Sequence, residues 1–457
     1  MLQLINPATG QLEKEIPATP TTDLHGYFEK AKRAQREWEH CPLSERIAIM
    51  RRFRELLVQH KEELAKLLTH EVGKPIAQAR NELQGVLGRI DYFTSNIERV
   101  TQPELVFEDE GQKLREKITY EPLGVIVNIS AWNYPYFVGA NVFVPALLTG
   151  NAVLYKPSEY CPLTGLAIAR YLHEAGVHKD VFTCILGGGL VGAELLELPI
   201  NGVFFTGSHA TGKLISEAVA PKLIRIQLEL GGKDPAYVCE DVDVKVAAES
   251  LADGAFYNTG QSCCSVERIY VHAKIYDRFI ENFMQSVKGF VLGDPMDDKT
   301  YIGPLSREGQ LTVLDDQVAD AVAKGAKLLI GGNRAKRPGY YFEPTVLTNV
   351  NHTMEVMREE SFGPIIGIQQ VGSDGEALNF MNDTAYGLTA GVYTRDPARA
   401  ERLLAQVRSG SVYWNCCDRV SPRLPWSGRG HSGIGSTLGT LGIQAFVQPK
   451  AWHLKAT

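Results

Sequence analysis

The chain has 457 residues, enough for about three domain-sized units at roughly 150 residues each, and its 44% hydrophobic and 22% charged content is that of an ordinary globular enzyme. A net charge of −6 and the lack of any long basic run argue against a nucleic-acid partner. Its 8 cysteines, at positions 41, 161, 184, 239, 263, 264, 416 and 417, show no zinc-type spacing, and the two vicinal pairs are poor disulfide partners within themselves, so no metal site and a reduced, cytoplasmic setting are expected.

The opening MLQLINPATGQLEKEI carries neither a basic start nor a long apolar run, so no secretory signal is expected. Pro7 and Gly10 punctuate a turn that closes a short hairpin. Apolar residues at helical spacing predict helices over 21–39, 43–67 and 76–100. Residues 117–121 alternate like an exposed strand, and 125–129 form the short apolar run of a buried one.

From Pro122 to Tyr155 no residue is charged, a stretch long enough to span a bilayer. Gly124, Asn128, Asn133, Pro135, Gly139, Asn141, Pro145, Gly150 and Asn151 interrupt it, so strand, loop, helix and strand inside an α/β domain is expected, and no membrane association. Asn133 falls in that loop, placed either to donate to a developing oxyanion or simply to make the turn before Pro135.

Further on, NAVLYK, VFTCIL, GVFFTG and IRIQLELGG read as strands, and LTGLAIARYLHEAG and HATGKLISEAVA as helices. Such alternation implies a parallel sheet, whose ligands sit at the carboxyl ends of its strands. FFTGSHATGKL nearly makes a P-loop, but Leu214 stands where a hydroxyl would hold Mg²⁺. The strand–Gly207–helix turn that remains suits a phosphate or close packing alone. LELGGKD ends a strand on Glu229: buried, that carboxylate becomes a base usable near neutral pH; turned outward, it only caps a loop.

A second α/β series begins near Asp234, with a helix over 244–257, a strand over 268–272 and a helix over 275–287. KLLIGG, YFEPTVL, PIIGIQQV, AGVYT and GSVYWN follow as strands. Between helix and strand stands GQSCCSVER, with Cys263 beside Cys264. A nucleophilic cysteine needs a lowered pKa or a nearby base, and some exposure. Neighbouring side chains diverge, so at most one of the pair faces a given pocket; otherwise both are small packing residues.

Six motifs in order, AWNYPY, YKPSE, FTGSHATG, LELGGKDP, GQSCCSVER and EESFGP, resemble those of the aldehyde dehydrogenase superfamily. The likeness runs over nearly the whole chain, from NPATG to SGIG. It implies two parallel-sheet α/β domains: a Rossmann-like cofactor domain over 1–103 and 124–230, and a catalytic domain over 231–431. A small β oligomerisation arm and tail would occupy 104–123 and 432–457, giving a homodimer or a dimer of dimers. The family pattern makes Cys263 the nucleophile, Glu229 the base and Asn133, with the Cys263 N–H, the oxyanion donor. Cys264 then becomes a tunnel-wall or packing residue, or a resolving thiol.

The resemblance also assigns cofactor contacts to Trp132, Lys156, Ser158, Glu159, Gly207, Ser208, Thr211, Gly212, Glu360 and Phe362. A carboxylate at Glu159 accepts from ribose hydroxyls and repels a 2′-phosphate, so NAD is expected, with NADP possible. Tyr134, Asn141, Ser262, Cys264 and Trp426 would line the tunnel to a small-molecule aldehyde. Two departures stand out: PWSG, with Trp426, replaces the usual PFGG, and Arg429 follows it. Arg419 and Arg423 lie near the expected tunnel mouth, either favouring a carboxylate-bearing aldehyde or making surface salt bridges. CoA-acylating relatives usually lack the Glu229 base and non-catalytic ones need not keep the nucleophile, so oxidation of an aldehyde to the acid through a thiohemiacetal and a thioester is expected.

Overall fold

In the computed structural model, which describes residues 1–456, the opening hairpin pairs β1 (Leu2–Asn6) with β2 (Gln11–Ile16). Asn6 closes it: its side chain accepts from the Ala8 N–H at 2.9 Å, and Gly10 takes the left-handed backbone the turn requires, φ 71°. Four helices follow, α1 (Leu24–Trp38), α2 (Leu43–Gln59), α3 (Lys61–Val72) and α4 (Ile76–Thr101). The single helix expected over 43–67 is therefore two. His60 leaves the helical region (φ −103°, ψ 17°) and stacks on Tyr171, while Glu62 and Glu63 start the next helix. Apolar spacing hides this break because both halves bury a face in the same core.

The chain next forms β3 (Glu104–Asp109) and β4 (Leu114–Pro122), then enters a parallel series: β5 (Val125–Ile129), α5 (Pro135–Leu148), β6 (Ala152–Lys156), α6 (Pro162–Ala175), β7 (Phe182–Cys184), α7 (Gly189–Glu197), β8 (Gly202–Thr206), α8 (His209–Val219) and β9 (Arg225–Glu229). The uncharged stretch is thus strand, loop, helix and strand, with α5 buried almost throughout. Among the described residues no helix is long and apolar enough to cross a membrane. One core, containing Leu24, Phe28, Val127 and Leu154, fills one face of the sheet; a second, from α2 to α6, fills the other. Burial on both faces is why these strands read as continuous apolar runs.

The second series is β10 (Asp234–Val238), α9 (Val244–Phe256), β11 (Val266–His272), α10 (Tyr276–Lys288), α11 (Glu308–Ala323), β12 (Lys327–Ile330), β13 (Thr345–Thr348), β14 (Ile365–Val371), α12 (Asp374–Asn382), β15 (Thr389–Tyr393), α13 (Pro397–Leu404) and β16 (Ser411–Trp414). Its seven strands run in the order β12-β13-β14-β11-β10-β15-β16, parallel but for β12. The chain ends in β17 (Gly433–Ile434), α14 (Gly439–Gln444) and β18 (Val447–Lys455). The tail expected to belong to the arm divides. Gly433–Ile434 joins the first sheet antiparallel to β9, giving the order β17-β9-β8-β5-β6-β7. Only β18 joins β4 and β3 in a three-stranded antiparallel sheet. Thr457, the last residue of that tail, lies outside the described residues.

A buried ion pair fastens α3 to α4. Lys74 reaches Glu82, whose other oxygen accepts from the Tyr136 N–H at 2.9 Å, and the ammonium lies 3.6 Å from the centre of the Tyr134 ring. Replacing Lys74 by Met leaves the carboxylate buried without its cation, and the expected loss is about 3–5 kcal/mol of unfolding free energy in urea titrations. Adding Glu82→Gln to that variant should recover part of it.

Candidate active site

The loop that carries Cys263 is built on strained backbone. After α9, Asn258, Thr259 and Gly260 all take the left-handed region (φ 54°, 58° and 71°). Such conformations persist only where the surroundings over-determine them, and here they do. Asn258 Nδ2 donates to the Gln261 carbonyl at 2.9 Å, Gln261 Oε1 accepts from the Ser306 N–H at 2.9 Å, and Thr259 Oγ1 accepts from the Gly303 N–H at 3.0 Å. A β-carbon at Gly260 would collide with the Gly363 carbonyl.

Two cavities meet at the end of this loop. One, of about 440 Å³, is walled by Tyr134, Asn141, Ser262, Cys264 and Trp426, together with residues of α4. The other, of about 270 Å³, is walled by Trp132, Asn133, Gly207, Ser208, Glu360 and Phe362, with Arg307 and Gln310. Cys263 and Glu229 line both. Cys264 lines only the larger. Its buried thiol donates to Asp418 Oδ1 at 3.0 Å, and the adjoining Cys263 thiol and burial push its pKa far up. Cys264 is therefore a wall residue held as the thiol, while Cys263 is half-buried at the junction.

Glu229 ends β9 opposite Gly433 of β17 and is buried. Burial pushes its carboxyl up to about 7, opposed by the hydrogen bond from Thr437 and by the charge of Arg89. Thr437 reaches it because residues 426 and 437 exchange backbone hydrogen bonds of 2.7 and 2.9 Å, so the segment after Trp426, which walls the larger cavity, also holds Glu229. Asn133, also buried, points Nδ2 at the Gln261 carbonyl, 3.3 Å away, in the loop that carries Cys263.

Glu360 accepts from the Gly232 N–H at 2.9 Å, and burial, with Glu267 close by, pushes its carboxyl up to about 8. Gly231 permits this approach, since a β-carbon there would strike the Glu360 carboxylate. Phe362, at φ 45°, packs edge-on to Trp132 with ring centres 5.6 Å apart. Ser208 caps α8, accepting from the Thr211 N–H at 3.3 Å, and Thr211 is exposed beside it. Lys156, Ser158 and Glu159 gather beyond the end of β6, outside the smaller cavity; Lys156 Nζ lies 3.8 Å from the Glu159 carboxylate and Ser158 Oγ accepts from the Tyr160 N–H.

Gly212 is buried, and a β-carbon there would strike the Leu230 side chain, so it packs α8 closely on β9. Arg423 is exposed and apart from the larger cavity, which Arg419 alone of that pair lines. Arg89, Glu267, Arg307 and Thr437 were not singled out from the sequence. For Arg89 a signal exists: it falls on the apolar face of α4 among Leu83, Val86, Ile90 and Phe93, where an uncompensated charge is out of place.

The model of the aldehyde dehydrogenase family matches residues 1–452. The chain belongs to the aldehyde dehydrogenase family. It is 35% identical to a succinate-semialdehyde dehydrogenase [NADP(+)] of Deinococcus radiodurans, over 98% of this chain and 93% of that one. To the peroxisomal aminoaldehyde dehydrogenase 2 of Malus domestica it is 33% identical, over 98% and 91%. A 3,6-anhydro-L-galactose dehydrogenase solved in complex with NAP superposes with a TM-score of 0.95 at 33% identity, covering 99% of this chain and 96% of that one. This aldehyde dehydrogenase is accordingly an NAD(P)-dependent oxidoreductase that converts an aldehyde to a carboxylic acid.

With its carboxyl near 7, Glu229 becomes a carboxylate as pH rises, so a rate that depends on that carboxylate should rise with pH through an ionisation near 7. Steady-state pH profiles of the wild type and Glu229→Gln check this: the variant should lose that limb and about 10²–10⁴-fold in kcat.

Proposed function

We propose that Cys263 is the nucleophile, Glu229 the hydrolytic base and Asn133 the side-chain oxyanion donor. The observation that carries this reading is the meeting of two cavities on Cys263 and Glu229. The aldehyde enters by the larger cavity, and the Cys263 sulfur adds to its carbonyl carbon. Asn133 Nδ2 and the Cys263 N–H donate to the oxygen that becomes negative; removing one such donor costs about 10²–10³-fold in rate. The nicotinamide cofactor, when bound, accepts the hydride that leaves the thiohemiacetal carbon as the thioester forms. Glu229 then takes a proton from the water that attacks the thioester carbon, releasing the acid and the sulfur.

The smaller cavity fits the cofactor. Aromatic walls at Trp132 and Phe362, and the Glu360 carboxylate that Gly231 lets approach, suit a planar ring and its ribose. Ser208 and the start of α8 present backbone N–H groups to the pyrophosphate. Lys156, Ser158 and Glu159 serve the adenosine end. Glu159 favours NAD by repelling a 2′-phosphate, while Lys156 beside it leaves NADP usable, in keeping with relatives named for NADP.

The boundary between cofactor and catalytic domains falls between β9 and β10, where the chain leaves one sheet for the other. The arm supports a homodimer or dimer of dimers: β3 is an edge strand with Leu105, Val106 and Phe107 about half exposed. All 8 cysteines are free thiols, which supports a reducing, cytoplasmic setting.

Cys263→Ser should abolish NAD(P)H formation from a panel of short aldehydes, followed at 340 nm, whereas Cys264→Ser should retain turnover. Persistence of activity in the first variant would remove the nucleophile assignment. Glu159→Gln should raise the ratio of NADP to NAD efficiency by about ten-fold, read from kcat/KM with each cofactor.

A further inference from the structure

We propose that Arg89 selects the substrate, and that the preferred substrate is an aldehyde carrying a carboxylate. This rests on the dehydrogenase reading above and deepens it. Arg89 projects from α4 into the wall of the larger cavity, the one that ends on Cys263. It is only 5% exposed, yet it makes no ion pair among the described residues. Two fixed contacts orient it: Nε donates to Asn141 Oδ1 at 2.9 Å and Nη1 to the Gly85 carbonyl at 3.3 Å. The guanidinium also lies 3.8 Å from the centre of the Phe137 ring. No protein acceptor meets Nη2 among the described residues.

An oriented guanidinium matches a carboxylate with hydrogen bonds as well as charge, and Nη2 has no acceptor from the protein among the described residues. Burial pulls Arg89 down to about 10, opposed by the charges of Glu82 and Glu229, neither of which bonds to it directly. A substrate carboxylate would give Nη2 the acceptor it lacks.

Of the carboxylates in the same walls, Glu229 accepts from Thr437 and is taken up by the proposed hydrolytic step, and the other three have protein partners. Both oxygens of Glu82 are taken, by Lys74 and by the Tyr136 N–H. Asp253 accepts from the Tyr301 hydroxyl at 2.5 Å, and Asp418 accepts from the Cys264 thiol at 3.0 Å. Two of the aromatic faces in these walls, those of Tyr134 and Phe137, are occupied by the protein's own cations, Lys74 and Arg89. The balance favours an acidic aldehyde over an amino one.

The test compares kcat/KM for succinic semialdehyde, pentanal and 3-aminopropanal on the wild type, Arg89→Gln and Arg89→Lys. The wild type should favour succinic semialdehyde over pentanal by at least about ten-fold. Arg89→Gln should erase that ratio, chiefly through KM for the semialdehyde, and Arg89→Lys should restore part of it. An unchanged ratio in Arg89→Gln overturns the proposal, as does a wild-type preference for 3-aminopropanal, which would hand selection to Asp253 and Asp418. Should the variants misfold, 4-hydroxybutanoate must still protect wild-type Cys263 from iodoacetamide where 1-pentanol does not; equal protection overturns the proposal. Absence of turnover with every aldehyde would refute the dehydrogenase reading itself, whereas good turnover of pentanal without a semialdehyde advantage refutes only the role of Arg89.

Discussion

One carboxylate holds the reacting elements together. Glu267 is the second residue of β11, four residues after Cys263, and is buried. It takes the Lys233 ammonium at 2.5 Å and the N–H groups of Ser361 and Phe362 at 2.9 and 3.0 Å. Three segments distant in sequence are thereby fixed to one point: the glycine turn after Glu229, the strand after Cys263, and the bend that presents Glu360 and Phe362. A buried ion pair of this kind adds little to net stability beside an apolar replacement. Its value lies in register, since each of its partners sits within a few residues of a group that faces the cofactor cleft. Arg268, next along β11 and fully buried, extends the same tie with bonds to the carbonyls of Lys233, Phe380 and Met381.

That frame lets two cavities meet on one pair of side chains. Cys263 and Glu229 line both, and the proposed mechanism brings substrate and cofactor to the sulfur from different sides. Glu229 illustrates the balance involved. Deep burial alone would hold it protonated, and the hydrogen bond from Thr437 together with the nearby Arg89 charge brings it back to about 7. Arg89 thus faces both ways, toward Glu229 by its charge and, in the proposed reading, toward the substrate by its open donor. At Cys264 the surroundings act the other way: the neighbouring Cys263 sulfur, burial and Asp418 all push that thiol toward its protonated form.

Much of this was legible in the sequence. Short apolar runs gave β5, β6, β8, β9 and β14, because strands buried on both faces leave no other pattern. The motifs located Cys263, Glu229 and Asn133 at one site and placed Tyr134, Asn141, Ser262, Cys264 and Trp426 in one wall. What remained hidden depends on contacts between distant segments. The break at His60 lies inside an unbroken apolar face. The return of β17 to β9 rests on two residues, too few for any periodicity. Gly212 reads as part of a phosphate turn, and its close packing on Leu230 appears only in the fold. Arginines near the predicted mouth, at 419 and 423, drew attention by sequence proximity, whereas the guanidinium that sits buried in the cavity comes from α4, far upstream.

The central claim is that the acyl group is carried on Cys263 and released by Glu229. It is tested most directly by intact-protein and peptide mass spectrometry of Glu229→Gln mixed with an aldehyde and NAD(P). The account predicts an adduct equal to the aldehyde less two hydrogens, mapped to Cys263 and absent when the cofactor is omitted. An adduct on Cys264, or none on either cysteine while the acid product still forms, would contradict it.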